Sequence, residues 1–199
     1  MLITKLEYID KKKVKVYIDD EYNFLLYTTD IKKNKMIEGN ELSFEVYQDI
    51  IENTVFRRAK QKAIAILKYM DRTEYELRNK LKQANYTEEI INRTIEYVIS
   101  YKYIDDERFA KYYIRTKKST KSKRQITMEL KNKGISKYII ETAFAEFDND
   151  DSAIIKAIRK KTANIDLMSK EEKQKLAASL YRKGFESEDI KKYINSYDD

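Results

Sequence analysis

The chain has 199 residues and carries 41 Lys+Arg against 34 Asp+Glu, a net charge of +7, with 42% apolar and 38% charged residues; a core can form, and the high charge favours an elongated shape over a compact ball. There is no Pro and only three Gly, which argues against a sandwich or barrel built on tight turns, and the lack of Cys and His removes disulfides, thiolate or imidazole catalysis and the commonest zinc ligands. No apolar run approaches a membrane span, and Met1-Leu2-Ile3-Thr4-Lys5 holds no signal-peptide core, so the expectation is a cytoplasmic, non-enzymatic protein with no cofactor, no bound metal and no membrane partner.

In chain order, residues 2–28 read as strands. Leu2 to Ile9 alternates loosely, Val14-Lys15-Val16-Tyr17-Ile18 alternates cleanly, and Tyr22 to Tyr27 is aromatic and apolar. The linkers, Asp10-Lys11-Lys12-Lys13 and Asp19-Asp20-Glu21, are polar, so the simplest structure is a three-stranded antiparallel meander packed on a helix. Gly39-Asn40 marks a turn, and Ser43 is placed to cap a helix near 44–52.

From Thr54 the apolar period becomes helical. Phe56, Ala59, Ala63, Ile66, Leu67 and Met70 fall on one stripe. Thr73 with Glu76 forms a capping box, and Ser122 with Gln125 and Ser169 with Glu172 repeat it. The repeat then becomes visible. Leu81, Leu130 and Leu180 serve as anchors. Four residues earlier stand Leu77, Ile126 and Leu176; four later stand Asn85, Gly134 and Gly184; the next residues are Tyr86, Ile135 and Phe185. Ile91, Ile140 and Ile190 follow, then Ile95, Phe144 and Ile194. Each unit reads as a short helix ended by a left-handed residue, an apolar plug, and a second helix with its own inner face. A further helix precedes each pair, at 54–70, 106–118 and 150–161. The expected architecture is mainly α: three tandem three-helix modules at 54–102, 103–148 and 149–199, elongated and curved, behind an N-terminal β meander with a short helix at 1–53.

The chain resembles the RecX family of bacterial recombination regulators. The resemblance rests on Asp71-Arg72-Thr73-Glu74-Tyr75-Glu76-Leu77-Arg78-Asn79-Lys80-Leu81, on Tyr103-Ile104-Asp105-Asp106-Glu107-Arg108-Phe109-Ala110, and on Ile126-Thr127-Met128-Glu129-Leu130-Lys131-Asn132-Lys133-Gly134-Ile135. The β segment with Ile3-Thr4-Lys5-Leu6-Glu7 looks like that of the longer members. Thr73 stands where the family usually has Ser, and Asn85 where Gly is common, both keeping the cap and turn chemistry. The resemblance implies a monomeric regulator that binds RecA and RecA–DNA filaments and restrains strand exchange and ATP turnover in recombination, DNA repair and the SOS response. It also implies DNA as a weaker partner, and it carries over no catalytic residue.

The charge distribution points to where such a partner would bind. Net charge is −3 over 1–53, +4 over 54–100, +5 over 101–148 and +1 over 149–199. From Lys111 to Lys133 there are nine basic residues and one acid, Glu129. Arg108, Lys111, Arg115 and Lys118 share a helix face, and Lys117, Lys118, Lys121, Lys123 and Arg124 crowd a loop and helix start, with Lys131 and Lys133 beyond. Such a cluster is the footprint of an anionic partner; the alternative is a solvated face in a Lys-rich protein. Arg57, Arg58, Lys60 and Lys68 form a second patch. The 17 Tyr are expected mostly at corner and inner-face positions, as core. Asp148-Asn149-Asp150 lacks the Gly and the closing Glu of a calcium loop, and Asp105-Asp106-Glu107 reads as the acidic start of a helix rather than a nuclease site. Gly39, Gly134 and Gly184 do not frame a phosphate loop. A general DNA-binding protein is the rival reading, and a metal-dependent nuclease the more distant one.

Overall fold

The computed structural model describes residues 1–148 and 150–194. The chain divides into two compact units, Met1–Asp105 and Asp106–Asp199.

The first unit opens with the expected meander. Strands β1 (Ile3–Tyr8), β2 (Lys13–Ile18) and β3 (Glu21–Tyr27) pair antiparallel in that order. Val14, Val16 and Ile18 face inward with Phe24 and Leu26, as a half-buried sheet requires. Asp19 and Asp20 take φ of 50° and 67° and form a two-residue hairpin between the paired Ile18 and Glu21. Asp10 closes the other hairpin by accepting from the backbone N–H of Lys12 and Lys13.

A short helix α1 (Thr28–Lys33) follows β3 directly; the sequence pattern did not reveal it. Ser43 caps α2 (Phe44–Asp49), accepting from the Val46 N–H. The helices expected near 44–52 and 54–70 are one continuous rod. A π-helical stretch, Ile50–Phe56, joins α2 to α3 (Arg57–Tyr69) with right-handed helical dihedrals at both junctions. It brings Ile50, Ile51 and Val55 together beneath the sheet. Met70 is a correction: the helix stops at Tyr69, and Met70 is extended and 52% exposed.

Helices α4 (Glu74–Gln83) and α5 (Glu88–Ser100) complete the first module. Thr73 and Glu76 form the expected capping box. Ala63, Leu77, Leu81, Ile91, Ile95, Val98 and Ile104 make its core, and Tyr86 packs against both this cluster and the one under the sheet. The sheet and the first module therefore share packing, and Arg58 fastens them further. Its guanidinium grips Asp30 of α1 in a two-pronged ion pair at 2.5 and 3.1 Å and lies 4.6 Å from the Tyr27 ring centre.

The second unit holds α6 (Asp106–Lys117), α7 (Lys123–Asn132) and α8 (Lys137–Ala145), then α9 (Ser152–Arg159), α10 (Lys170–Arg182) and α11 (Ser187–Ile194). Leu130 and Leu180 sit at the centres of two cores, with Ile126 and Leu176 beside them. Ser169 and Glu172 form a full capping box. Ser122 makes only half of one: it accepts from the Gln125 N–H, but the Gln125 side chain turns to Glu129. The Ser122 hydroxyl also donates to the Lys183 carbonyl at 2.7 Å, tying α7 to the end of α10.

Asn85, Gly134 and Gly184 have φ of 62°, 82° and 81°, the left-handed geometry that the repeat demands. At each, the next residue's N–H donates to the anchor leucine's carbonyl, and the left-handed residue's N–H donates one position further on. Lys35 and Lys102, at φ of 50° and 56°, end α1 and α5 with the same pair of bonds.

The tyrosines depart from expectation. Nine described ones are exposed and the others half-buried, and none is in the buried core. Their hydroxyls need water or a partner, which keeps the rings at the rims of the cores. Examples are Tyr113 donating to Glu129 and Tyr17 donating to Glu7.

Gly184→Ala should lower the melting temperature more than Gly39→Ala. Both pay for positive φ, but a Cβ at Gly184 would lie 3.0 Å from the side chains of Ser122 and Arg124, whereas Gly39 faces open space. Lys102→Gly should stabilise by up to about 1 kcal/mol, because a β-carbon is removed from a left-handed site. Equal melting shifts for the two Gly→Ala variants would mean that the α7–α10 contact does not restrict the corner.

Asp30 supplies a pH test. Burial raises its pKa, but the Arg58 hydrogen bonds and the Tyr27 N–H outweigh burial and leave it below the ordinary 3.8. The folded carboxylate thus keeps its charge to lower pH than the unfolded one. Its contribution is complete at neutral pH and disappears as pH falls below 3.8. Asp30→Asn should cost about 1–3 kcal/mol at pH 7 and should flatten the acid limb of a stability-versus-pH curve; an unchanged acid limb would remove Asp30 from that role.

Candidate anionic-partner surface

The basic residues of the main sequence-selected cluster lie in or beside α6 and α7, yet they are not alike. Arg108, Arg115, Lys123, Arg124 and Lys131 are exposed, while Lys111, Lys117, Lys118, Lys121 and Lys133 are half-buried. Lys111 pairs with Glu146 at 2.6 Å, Lys118 with Asp150 at 3.8 Å, and Lys121 with Glu129 at 2.5 Å. The stems of Lys118, Lys123 and Lys133 carry their ammonium groups within 5.2–5.5 Å of the ring centres of Phe147, Phe144 and Phe109, and Arg115 lies 5.6 Å from that of Tyr112. These aromatic seats fix long side chains that would otherwise wander. The α6 face read as purely basic thus turns part of its length toward the α8–α9 connection, where Lys111 and Lys118 meet carboxylates.

The electrostatics of the pairs follow from burial and hydrogen bonding. Burial works against the Glu129 carboxylate, but bonds from Lys121 and Tyr113 overcome it and hold its pKa below the usual glutamate value. Tyr113 is pushed up to about 12, first by burial and then by Glu129. Asp150 is lowered mainly by its hydrogen bonds to Ser152, with Lys118 adding a smaller share.

Lys118, Lys121 and Lys123 line a cleft of about 420 Å³ within the second unit. Ile114, Phe144 and Phe147 line its apolar part. The same cleft is lined by the acids Asp148, Asp150, Asp151, Glu186, Glu188 and Asp189, from the approach to α9 and the start of α11, together with Lys192. The sequence pattern did not single out Glu186, Glu188 and Asp189; Glu188 and Asp189 fall in the first turn of α11. Asp151 is already engaged, accepting from Lys192 and Tyr193 at 2.6 and 2.5 Å. Among the described residues no group of three or more His, Cys, Asp or Glu is arranged to hold a metal ion. Asp150 is occupied with the Ser152 N–H, and Asp106 and Glu107 sit in the first turn of α6. Asn149 lies outside the described residues, so the Asp148-Asn149-Asp150 triplet is placed only at its two ends.

In the second patch, Arg58 is committed to Asp30, and Lys60 lies 4.5 and 5.1 Å from the ring centres of Phe56 and Tyr97. Arg57 and Lys68 are exposed.

Three family models match the helical modules in order. Residues 59–97 match "RecX, first three-helix domain", 105–143 "RecX, second three-helix domain" and 149–194 "RecX, third three-helix domain". The chain belongs to the RecX family. Its relatives include the protein named "Regulatory protein RecX" of Clostridium acetobutylicum, 34% identical over 94% of this chain and 92% of that one. Another relative of the same name, from Caldanaerobacter subterraneus subsp. tengcongensis, is 34% identical over 98% and 99%. Among solved structures, one titled as a regulatory protein RecX covers 98% of both chains at 25% identity with a TM-score of 0.64. RecX from Lactobacillus salivarius covers 72% of this chain and 96% of its own, at 29% identity and a TM-score of 0.63. The RecX modules place α6 and α7 in the second three-helix domain and the acids at 150–189 in the third.

The acids of the cleft should oppose any anion approaching Lys118, Lys121 and Lys123. Glu186→Gln, Glu188→Gln and Asp189→Asn together should tighten binding of a fluorescent oligonucleotide by about two- to ten-fold at low salt, less at high salt. Unchanged affinity would show that the anion does not pass this cleft.

Proposed function

We propose that this chain is a non-enzymatic regulator of the RecA recombinase that binds RecA–DNA filaments and restrains strand exchange, acting in recombination and DNA repair. Membership of the RecX family along the whole chain carries this reading, supported by the concentration of cations on α6 and α7. The filament is a polyanion coated with protein, and a surface of aromatic-seated Lys and Arg is suited to its phosphates or to acidic protein between them. Arg115, Lys123 and Arg124 are the contacts of choice, since they are exposed, with Arg115 in the last turn of α6 and Lys123 and Arg124 at the start of α7. Lys111, Lys118 and Lys121 act more as a support, since each already has a carboxylate. On this reading the protein works as a monomer in the cytoplasm and adds no chemistry of its own; occupying the filament slows its turnover of ATP.

The triple variant Arg115→Ala, Lys123→Ala, Arg124→Ala should fold normally, because none of the three is in a core. In RecA-driven strand exchange it should require at least several-fold more protein than the parent to give the same inhibition. Inhibition at the parent's concentration would make the α6–α7 surface a solvated face. Loss of binding to bare DNA with full retention of inhibition would separate DNA contact from filament regulation.

A further inference from the structure

The first unit contains a different kind of basic surface. A furrow of about 590 Å³ runs between α3, the end of α4 and the β1–β2 hairpin. Lys13 enters from the hairpin, Lys62 from α3, and Arg72 and Lys80 from either end of the α4 region. Lys13, Lys62, Gln83 and Ala84 continue into a second hollow of about 190 Å³ lined by Arg58. Among the described residues no Asp or Glu lines either stretch. That contrasts with the cleft of the second unit, where carboxylates share the lining with the lysines.

Arg72 reaches Glu76 only at 4.0 Å, so its partly exposed guanidinium is loosely held. One further detail points to a ligand. Tyr69, at the last turn of α3, lines the furrow with 86% of its surface exposed. An aromatic ring held in water beside converging cations gains nothing from the fold; it gains from a flat partner bearing negative charge.

We propose that this furrow binds single-stranded nucleic acid, with Lys13, Lys62, Arg72 and Lys80 along the phosphates and a base stacked on Tyr69. A single strand is favoured over a duplex because only an unpaired base can offer its face to the ring. An acidic protein segment would satisfy the lysines but leave Tyr69 unexplained. The site uses none of the α6–α7 residues, so it stands or falls independently of the regulatory reading.

The test uses the full chain carrying Arg115→Ala, Lys123→Ala and Arg124→Ala, with fluorescein-labelled oligothymidylate as probe. Adding Lys62→Ala and Lys80→Ala should weaken binding and lower the slope of log affinity against log salt by about 1.4, or about 0.7 per lost phosphate contact. Tyr69→Ala should weaken binding about five-fold or more with the slope unchanged, and Tyr69→Phe should not. The chain has no Trp, so Tyr69→Trp supplies a sole indole, whose fluorescence should be quenched by oligothymidylate and not by an equal length of duplex. An unaltered salt slope in the lysine variant, a harmless Tyr69→Ala, or polyglutamate competing as strongly as oligothymidylate would each overturn the proposal.

Discussion

The three-helix modules of this protein depend on how the middle helix of each is stopped. At Asn85, Gly134 and Gly184 the backbone enters the left-handed region, and two N–H groups fold back onto the last turn. The anchor leucine serves twice there. Its side chain is buried in the module core, and its carbonyl accepts the N–H of the plug residue, Tyr86, Ile135 or Phe185. One residue thus couples the end of a helix to the packing beneath it. A helix of ten residues is marginal alone; with its terminus satisfied and its leucine pair buried, it becomes one wall of a module.

That coupling is why the repeat was legible. Glycine and asparagine tolerate positive φ, and the apolar anchors recur at helical spacing, so two independent signals coincide in sequence. Where only one signal was present, sequence reading stopped short. Lys35 and Lys102 end their helices in the same geometry, but lysine has no left-handed preference to announce it. The following residue, Met36 or Tyr103, completes the motif by donating its N–H to the carbonyl of Ile31 or Val98, and Met36 is also buried. The π-helical stretch at Ile50–Phe56 was hidden for a similar reason: it exists because Ile50, Ile51 and Val55 must all face the sheet, a demand of tertiary structure. Met70 continued the apolar stripe on paper, but its backbone had already left the helix.

The candidate surfaces divide along the same line. Positive charge is a property of sequence, and the α6–α7 cluster could be found by counting. Compensation is a property of the fold. Glu146 and Asp150 reach Lys111 and Lys118 only after α7 and α8 have turned the chain back, and the acids at the start of α11 join the same cleft only after α9 and α10. The furrow of the first unit was invisible for the converse reason: Lys13, Lys62, Arg72 and Lys80 are scattered in sequence, and only the packing of hairpin, α3 and α4 gathers them without a carboxylate between.

The difference has an energetic consequence. A lysine that already holds a carboxylate exchanges one ion pair for another when an external anion arrives, and the net gain is small. Such a surface discriminates: an isolated phosphate gains little from Lys118 or Lys121, whereas a dense array of charges engages the exposed Arg115, Lys123 and Arg124 together. A furrow with no carboxylate in its lining would behave otherwise. Arg72 keeps Glu76 at 4.0 Å, but a phosphate entering beside Lys13, Lys62 and Lys80 displaces no carboxylate of the lining, so the proposed binding there would be favourable contact by contact and steeply weakened by salt. On the readings proposed above, the two surfaces would answer to different features of a nucleoprotein filament, charge density in one case and an accessible strand in the other. A chain with both features would respond to the assembled filament more strongly than to bare strand or free protein alone.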